Sequence, residues 1–453
     1  MNINIENFGK IESADISLTK MMFFIGDNNS GKSYLLSLLY GLLRLEPSDL
    51  INRSTKGKRM ALPELDRLIS AFYEDSSFVI CEEEFEKIVE FINNLMEDYK
   101  DYLVKELLGD NVTIDKLRFE IPYFPVEVSV TKGLDTSKLM ITTFSVEKLS
   151  FEMFHDQISA LSHLFGNEDI ILLFLVPSLI KYAIAKSMGL GTKIAYQFNP
   201  VFYPVSRTGF MLTYKTLMAQ AIEDQFNPSA KNENLNMLTL PERDFLKNLS
   251  QLNIRMKTDD ESCLKIAGFI QKELIEGSLK VSDLPVADIV YCPGNDSSVQ
   301  LPLYVSSGVV TELTPILLQL LYGRRHNCIM IEEPEMCLHP ELQQKMARML
   351  VKMANTCFSV MVTTHSDIIM QHINNMIILN RHANRDEIMK DLGYDMDDLL
   401  DSDDVSVYQF SKNPETGRTR IEKLNVGKYG FELPTFINAL DKLYDHSTRI
   451  VEE

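Results

Sequence analysis

The pattern of apolar and polar positions changes abruptly over residues 21–45. An apolar run from Met21 to Ile25 is followed by the polar segment GDNNSGKS at 26–33 and then by a Leu-rich stretch. An unbroken apolar run is typical of a buried strand, and leucines spaced by three or four residues are typical of a helix. The pattern therefore predicts a strand, a loop and a helix in direct succession.

Patterns on either side of this segment predict further elements. The first residues of the chain alternate between apolar and polar side chains, which predicts an edge hairpin with its turn at Gly9 and Lys10. From Glu82 to Leu108 apolar residues recur every three or four positions and Gly109 follows, which predicts one long amphipathic helix. This helix lies in an insertion, where it packs within its own lobe, projects from the core or packs against a second copy of the chain.

The rest of the chain switches between strand and helix patterns. Two-residue alternation over 126–133 and 138–154 predicts antiparallel strands. A buried strand ending at Pro204 leaves Arg207 and Gly209 in the loop beyond it, where Arg207 reaches a nucleotide or a subunit interface, or forms a plain salt bridge. Further predictions are helices over 155–195 and 211–276, a flexible link at 227–236, short strands near 278–281, 287–292 and 299–304, and a closing hairpin and helix between 405 and 436.

The GDNNSGKS loop has the residues that phosphate binding requires. Gly26 and Gly31 let the backbone aim several N–H groups at one point, and the following helix adds the positive end of its dipole. Lys32 then reaches the β- and γ-phosphates, and the Ser33 hydroxyl is a Mg²⁺ ligand. The nucleotide-binding residues predicted here are Gly26, Asn28, Asn29, Ser30, Gly31, Lys32, Ser33 and Tyr34.

Two later strands end in side chains that suit the same chemistry. The apolar run 328–331 ends in Glu332 and Glu333, and the apolar run 358–362 leads into TTHSD with His365. Carboxylates at the C-terminal end of a strand lie where Mg²⁺ and a water sit beside the phosphates. We therefore expect Glu332 to hold the metal through its water shell and Glu333 to act as the general base, with His365 contacting the γ-phosphate or ordering the water.

Composition narrows the classes of function. A chain of 453 residues that is 45% hydrophobic indicates a large domain with insertions, or two to three lobes. The formal charge of −19 does not imply DNA binding, although the basic run at 52–60 could still contact nucleic acid or a partner protein locally.

The six cysteines form no Cys-x-x-Cys pair, and neither a signal peptide nor a run of membrane-spanning length is present. We expect a cytoplasmic protein with no membrane contact.

With these motifs the chain resembles the ABC-type ATPase family, in the AAA-like branch that includes the OLD, RecF and SMC-type heads. The resemblance rests on IENFGKI, GDNNSGKS, YVSSGVV, IEEPEMCLHP and TTHSD. It implies an α/β fold: an ABC-type P-loop ATPase head with a mixed central sheet, an antiparallel β lobe and inserted helical lobes. The expected division is the N-terminal half of the core (1–53), an inserted helical and antiparallel β region (54–195), a core strand and loop (196–210), a helical lobe (211–285) and the rest of the core (286–453).

The resemblance also implies site residues that the loop chemistry alone does not give. Residues 334–340 match the D-loop and His365 matches the switch histidine. No residue is assigned as the Q-loop glutamine, although Gln197 lies in the region where that residue is expected. The resemblance implies ATP and Mg²⁺ as cofactors. In this family a signature loop binds the γ-phosphate held by the opposite subunit, so the resemblance also implies a homo-oligomer, at least a dimer. The residues that match this loop are Ser306, Ser307 and Gly308, although the transporter form has Gly and Gln where this chain has Ser307 and Val309.

The function expected from the resemblance is an ATPase switch. ATP closes two heads, hydrolysis opens them, and the motion controls a separate effector, such as a nuclease. The chain resembles in this respect the ATPase subunits of bacterial anti-phage systems, AriA of PARIS and PtuA of Septu. The acidic run at 395–404 is expected to be a solvated loop and not part of a nuclease domain. The alternatives are an ATP-bound oligomeric scaffold that sequesters a toxin-like effector, and a RecF-like DNA repair ATPase.

Overall fold

The chain divides into two compact units. One comprises Met1–Lys20 and Leu38–Asn199, and the other comprises Met21–Ser37 and Pro200–Glu453. This computed structural model describes residues 1–45, 77–109, 111–131, 141–144, 149–154, 178–190, 199–226, 238–252, 256–282, 289–294, 298–324, 326–356, 358–433, 446–448 and 450. The predictions outside these residues concern the basic run at 52–60, the segment 155–177, Gln197, the link at 227–236 and the end of the 405–436 segment.

Strands and helices alternate along much of the chain. The described strands are β1 Asn2–Phe8, β2 Ile11–Ser17, β3 Met21–Gly26, β4 Ser77–Ile80, β5 Lys116–Glu120, β6 Val126–Thr131, β7 Ile141–Phe144, β8 Leu149–Phe154, β9 Pro200–Tyr203, β10 Gly277–Val281, β11 Ile289–Pro293, β12 Leu301–Pro302, β13 Cys328–Glu332, β14 Ser359–Thr364, β15 Val405–Lys412, β16 Thr419–Lys423, β17 Val426–Gly427 and β18 Gly430–Phe431. The named helices are α1 Lys32–Arg44, α2 Glu82–Leu108, α3 Arg207–Phe226, α4 Leu240–Ser250, α5 Glu261–Phe269, α6 Gly308–Tyr322, α7 Pro340–Thr356, α8 Asp367–Asn380 and α9 Arg385–Leu392. Residues 178–187 are also helical.

In the first unit, the N-terminal hairpin lies beside a strand from later in the chain. β1 and β2 pair in antiparallel fashion with Phe8 opposite Ile11, so the predicted turn is confirmed. β5 pairs with the other side of β1, with Asn2 opposite Glu120. The expectation of an edge hairpin is therefore wrong for β1, because a strand that follows the long helix supplies another partner.

The long helix α2 is confirmed and packs within its own unit. Its buried residues recur at helical spacing on one face. The side chain of Asn93 donates a hydrogen bond to the carbonyl oxygen of Phe119 (3.0 Å) and accepts one from the Phe119 N–H (2.7 Å), which joins the helix to β5. Leu103 and Leu107 lie against Gly41 of α1. The expected packing of the helix within its own lobe is therefore confirmed.

The β lobe of the first unit differs from its prediction in one pairing. Its strands lie in the order β4, β6, β8, β7. β7 and β8 are antiparallel, as expected, but β6 and β8 pair in parallel. β4, a strand that the sequence analysis did not predict, pairs with β6 in antiparallel fashion. β6 and β8 run in the same direction, and β7, which lies between them in the sequence, runs opposite to both.

The second unit contains a mostly parallel sheet that positions the candidate site. Its strands lie in the order β16, β15, β3, β14, β13, β9. All neighbouring pairs are parallel except β15 with β16. β3, β13 and β14 are buried along their whole length, which explains their unbroken apolar runs. The α/β prediction with a mixed sheet is therefore confirmed, and the C-terminal ends of these three strands meet at one edge of the sheet.

Two segments of the second unit correct the sequence analysis. Arg207 is not in a loop, because its N–H bonds to the Pro204 carbonyl and α3 begins at Arg207. The acidic run at 395–404 is not a solvated loop: it forms two short 3-10 turns, and Asp398 is completely buried. Asp398 forms ion pairs with Arg348 (2.7 Å) and Lys352 (3.1 Å) of α7, which remove the need for water around this carboxylate.

Candidate functional site

The predicted phosphate loop turns sharply between β3 and α1. The backbone angle φ is 135° at Gly26, 60° at Asn29 and 98° at Gly31, values that favour glycine. A Cβ atom on Gly26 would lie 2.4 Å from the carbonyl oxygen of Phe410 in β15. Glycine is therefore required at Gly26 both by the backbone angle and by the close approach of the neighbouring strand.

Lys32 is buried and its amine points back into the loop. Nζ donates hydrogen bonds to the carbonyl oxygens of Gly26 (3.0 Å) and Asp27 (2.7 Å) and to Oγ of Ser30 (3.3 Å). Burial lowers the pKa of Lys32 to about 8, although Glu333 and two other carboxylates oppose the shift. Among the other predicted loop residues, Asn28 and Asn29 are exposed, Ser30 is buried and Tyr34 is half-buried.

Ser33 and Glu332, the two predicted metal ligands, are in contact. The Ser33 hydroxyl donates a hydrogen bond to the Glu332 carboxylate. Oε2 of Glu332 also accepts a hydrogen bond of 3.1 Å from the Val205 N–H. Burial raises the pKa of Glu332, and both hydrogen bonds oppose this shift. A hydroxyl and a carboxylate side by side are oxygen ligands of the kind that Mg²⁺ prefers, so the residues fit that ion.

Glu333 and His365 lie next to each other at the ends of β13 and β14. Glu333 Oε1 is 3.8 Å from His365 Nε2. The Glu333 backbone has a φ of 42°, which is unusual for a residue with a side chain, and its N–H donates to the Thr363 carbonyl at 2.9 Å. Burial and then the charge of Lys32 lower the pKa of His365, which favours a neutral imidazole at neutral pH.

Glu335 belongs to the same cluster and was not singled out from the sequence. Its carboxylate accepts hydrogen bonds from the Thr364 hydroxyl (2.8 Å) and from the His365 N–H (2.6 Å). Burial raises the pKa of Glu335, and these hydrogen bonds oppose the shift. The only sequence signal was that a further glutamate follows Pro334 in the EEPE segment.

Arg207 is a second residue whose position in the site was not predicted from the sequence. Its side chain is buried, and the guanidinium donates hydrogen bonds to three main-chain carbonyls in the second unit. Nη1 donates to the Pro204 oxygen (3.0 Å) and the Glu332 oxygen (2.6 Å), and Nη2 donates to the Glu333 oxygen (3.1 Å). Arg207 therefore contacts the backbone of the predicted metal ligand Glu332 and of the predicted general base Glu333.

The predicted signature loop lies at the start of α6. Ser306 Oγ donates to the Pro302 carbonyl (3.1 Å), and Ser307 Oγ caps the helix by accepting a hydrogen bond from an N–H of its first turn. A Cβ atom on Gly308 would lie 3.3 Å from the side chain of Cys337 in the D-loop segment. The structure thus brings the predicted signature loop next to the segment 334–340 that matches the D-loop. It brings Lys32, Ser33, Glu332, Glu333 and His365 together as a separate group.

Comparison with known proteins gives the family. Residues 1–370 match the family model described as AAA ATPase domain. Because the match covers most of the chain, the protein belongs to this family. No curated protein matches the sequence. Among the described helices, none combines the length and the hydropathy of a membrane span.

Solved structures of SMC heads are similar over nearly the whole chain. They include the SmcHead bound to the C-winged helix domain of ScpA (11% identity, TM-score 0.35, 94% of this chain and 98% of that chain). The Smc head domain with an extended coiled coil bound to the C-terminal domain of ScpA, from Pyrococcus furiosus, has the same identity and TM-score and covers 98% of both chains. The SMC head domain from Thermotoga maritima has 11% identity and a TM-score of 0.33 over 94% of this chain and 98% of that chain. These values are too low to transfer any property of those proteins.

Proposed function

We propose that the protein binds and hydrolyses ATP, with Glu333 as the general base. One observation carries the proposal: three segments far apart in the sequence place Ser33 against Glu332, and Glu333 3.8 Å from His365, beside the amine of Lys32. A phosphate loop, a metal-ligating pair and a base with a neighbouring histidine are the parts that nucleotide hydrolysis requires.

Lys32 and the N–H groups of the loop are proposed to bind the nucleotide. They present positive charge and hydrogen-bond donors to the β- and γ-phosphates, with the start of α1 adding the favourable end of its dipole. Ser33 and Glu332 are proposed to hold Mg²⁺, directly or through its water shell. When bound, the ion neutralises charge on the phosphate oxygens.

Glu333 is proposed to take the proton of the attacking water. The water oxygen forms a bond to the γ-phosphorus, the bond from that phosphorus to the bridging oxygen breaks, and the electron pair leaves on ADP. His365, whose pKa is lowered by partial burial and by the charge of Lys32, orients the water or the γ-phosphate by a hydrogen bond. Glu335 supports this arrangement, because it holds the His365 main chain.

We also propose that two copies engage through the signature loop. The support is a set of exposed apolar side chains beside Ser306, Ser307 and Gly308: Tyr304 is 77% exposed and Val305 is 56% exposed. Met336, in the segment that contacts Gly308, is 40% exposed. Apolar side chains grouped around a polar loop are typical of a surface that pairs with another protein. In that dimer the loop of one copy would meet the γ-phosphate held by the other.

The biological role proposed for this motion is control of a separate effector, in bacterial defence against phages. Its support is the likeness of the motifs to those of the PARIS and Septu ATPase subunits. An effector such as a nuclease would be released or activated when the heads open or close.

Two variants test the proposed function together. Lys32→Ala should abolish ATP binding, and Glu333→Gln should bind ATP and hydrolyse it at least about a hundredfold more slowly. Light scattering of Glu333→Gln with Mg-ATP should show a dimer that is absent without nucleotide. Normal turnover in Glu333→Gln would overturn the base assignment. A large assembly without nucleotide would overturn ATP-dependent engagement and favour the scaffold, and strong stimulation of turnover by DNA would favour the repair ATPase.

A further inference from the structure

The buried guanidinium of Arg207 has one more partner, on a different helix. Its Nη2 forms an ion pair with Oε1 of Glu312, and both side chains are 1% exposed. The other carboxylate oxygen of Glu312 accepts a hydrogen bond from the Thr208 hydroxyl. Glu312 lies in α6, one turn after the helix begins at Gly308. Arg207 therefore connects the helix that starts with the signature loop to the end of the strand that carries the two carboxylates.

Stability alone is a weak reason for this arrangement. Removing two charges from water carries a large free-energy cost, and well-packed apolar residues often replace a buried ion pair without loss of stability. An apolar pair, however, offers no donors to the main-chain carbonyls of Glu332 and Glu333. Arg207 differs from an apolar residue at this position because its N–H groups hold the main-chain carbonyls of Glu332 and Glu333.

The planar guanidinium suits a positioning role. Its two terminal nitrogens point in fixed directions, with Nη1 on the Glu332 carbonyl and Nη2 on the Glu333 carbonyl and Glu312. The Glu333 backbone has a positive φ, a conformation that persists only when its surroundings hold it. A lysine ammonium, a single point of charge, cannot hold both carbonyls and the carboxylate in this geometry.

We propose that Arg207 is a positioning residue that makes the placement of Glu332 and Glu333 depend on α6 through Glu312. A phosphate held at Ser307 and Gly308 would thereby influence the carboxylates of the same chain. This inference rests on the proposed hydrolysis, and it adds the route by which the signature loop of a subunit acts on that subunit's own site.

The test compares Glu312→Gln with Asp398→Asn, the same isosteric change at another buried, paired carboxylate away from the site. Steady-state turnover and ATP binding are measured for both variants with Mg-ATP. Glu312→Gln should lower kcat by about tenfold to a hundredfold while KM and ATP affinity stay within about twofold. Asp398→Asn should melt at a lower temperature but keep the kcat of the folded protein. If Glu312→Gln does not fold, Glu312→Asp replaces it in the test, because aspartate keeps the charge. Glu312→Asp should lower kcat in the same way.

Dependence on α6 is tested by adding Ser307→Ala to each variant. If Glu312 transmits the effect of the signature loop, Ser307→Ala should slow Glu312→Gln much less than it slows the wild type. In Asp398→Asn the slowing should equal that in the wild type. Equal slowing in all three backgrounds, or an unchanged kcat in Glu312→Gln, would overturn the inference. A wild-type protein that hydrolyses no ATP would instead overturn the proposed function itself.

Discussion

The carboxylate of Glu335 accepts a hydrogen bond of 2.6 Å from the backbone N–H of His365. The same carboxylate also accepts a hydrogen bond from Thr364, the residue before the histidine. The segment after β14 is therefore fixed by a side chain from the segment after β13. The position of His365 is therefore set by this contact as well as by the strand that precedes it.

Replacing Glu335 should slow the reaction without preventing nucleotide binding. In Glu335→Ala the His365 N–H and the Thr364 hydroxyl lose their acceptor in a part-buried setting, which costs about 1–3 kcal/mol for each group. We expect kcat to fall at least about tenfold with ATP affinity nearly unchanged, as measured by steady-state kinetics and titration with a fluorescent nucleotide. Glu335→Gln, which keeps an acceptor and the shape, is the control and should lose less. A wild-type kcat in Glu335→Ala would contradict a positioning role.

Gly26 should tolerate no side chain. In Gly26→Ala the methyl group would meet the Phe410 carbonyl at 2.4 Å, and the backbone angle of 135° is strained for any other residue. We expect the free energy of unfolding to fall by about 1–3 kcal/mol and ATP binding to be lost, as measured by denaturant titration and calorimetry. Gly268→Ala is a matched control, because nothing lies within 4 Å of its Cβ position in α5. That control should be neutral or stabilising by up to about 1 kcal/mol.

The stability of the protein should decrease at mildly acidic pH because of His372. Its Nε2 lies 3.2 Å from the Tyr394 hydroxyl oxygen. Burial, followed by the charge of Arg348, lowers the pKa of His372, and Asp398 opposes the shift. Since the unfolded histidine binds a proton near pH 6.5 and the folded one does so only at lower pH, the free energy of unfolding should be highest above about pH 6.5 and fall as pH decreases through the folded pKa.

Thermal melting between pH 5 and pH 8 measures this dependence. His372→Gln keeps a hydrogen-bonding group near Tyr394 but has no titrating ring, so its melting temperature should decline less below pH 6.5. An equally steep decline in the variant would assign the effect to other groups.

The buried Asp398 should matter far more for stability than its neighbour Asp397. Asp398→Asn removes the charge that faces Arg348 and Lys352, and breaking a buried pair on one side costs about 3–5 kcal/mol. Asp397 pairs with the exposed Lys265, so Asp397→Asn should cost less than about 1 kcal/mol. Urea titration of both variants measures the difference. Equal losses would contradict the described burial.

Local pattern predicted most of what positions the site, because each functional side chain lies at the end of an apolar strand or in the loop after it. Lys32 follows the loop after β3, Glu332 ends β13, Glu333 comes next in the chain, and His365 follows β14. The periodicity of α2 was equally informative, because one face of the helix packs along its whole length. These features depend on residues close together in the sequence.

Contacts between distant residues were not predictable from the same signals. Nothing in the spacing of Arg207 shows that Glu312 will be its partner, and the acidic run gave no sign that Arg348 and Lys352 would neutralise Asp398. The parallel pairing of β6 with β8 and the position of β5 beside β1 depend on which strands become neighbours. The choice of neighbouring strand does not alter the apolar periodicity of either strand, so the sequence pattern does not reveal it.

The position of β3 in the sheet has a consequence for synthesis on the ribosome. Its two neighbours are β14, which begins at Ser359, and β15, which begins at Val405. At about 5–20 residues per second, on the order of 20–70 s pass between translation of β3 and translation of its first neighbour. The apolar segment MMFFI leaves the exit tunnel long before β14 and β15, the strands that pair with it, are translated. The candidate site can therefore form only after most of the chain has been translated, because β14 and β15 are the neighbours of β3 in the sheet.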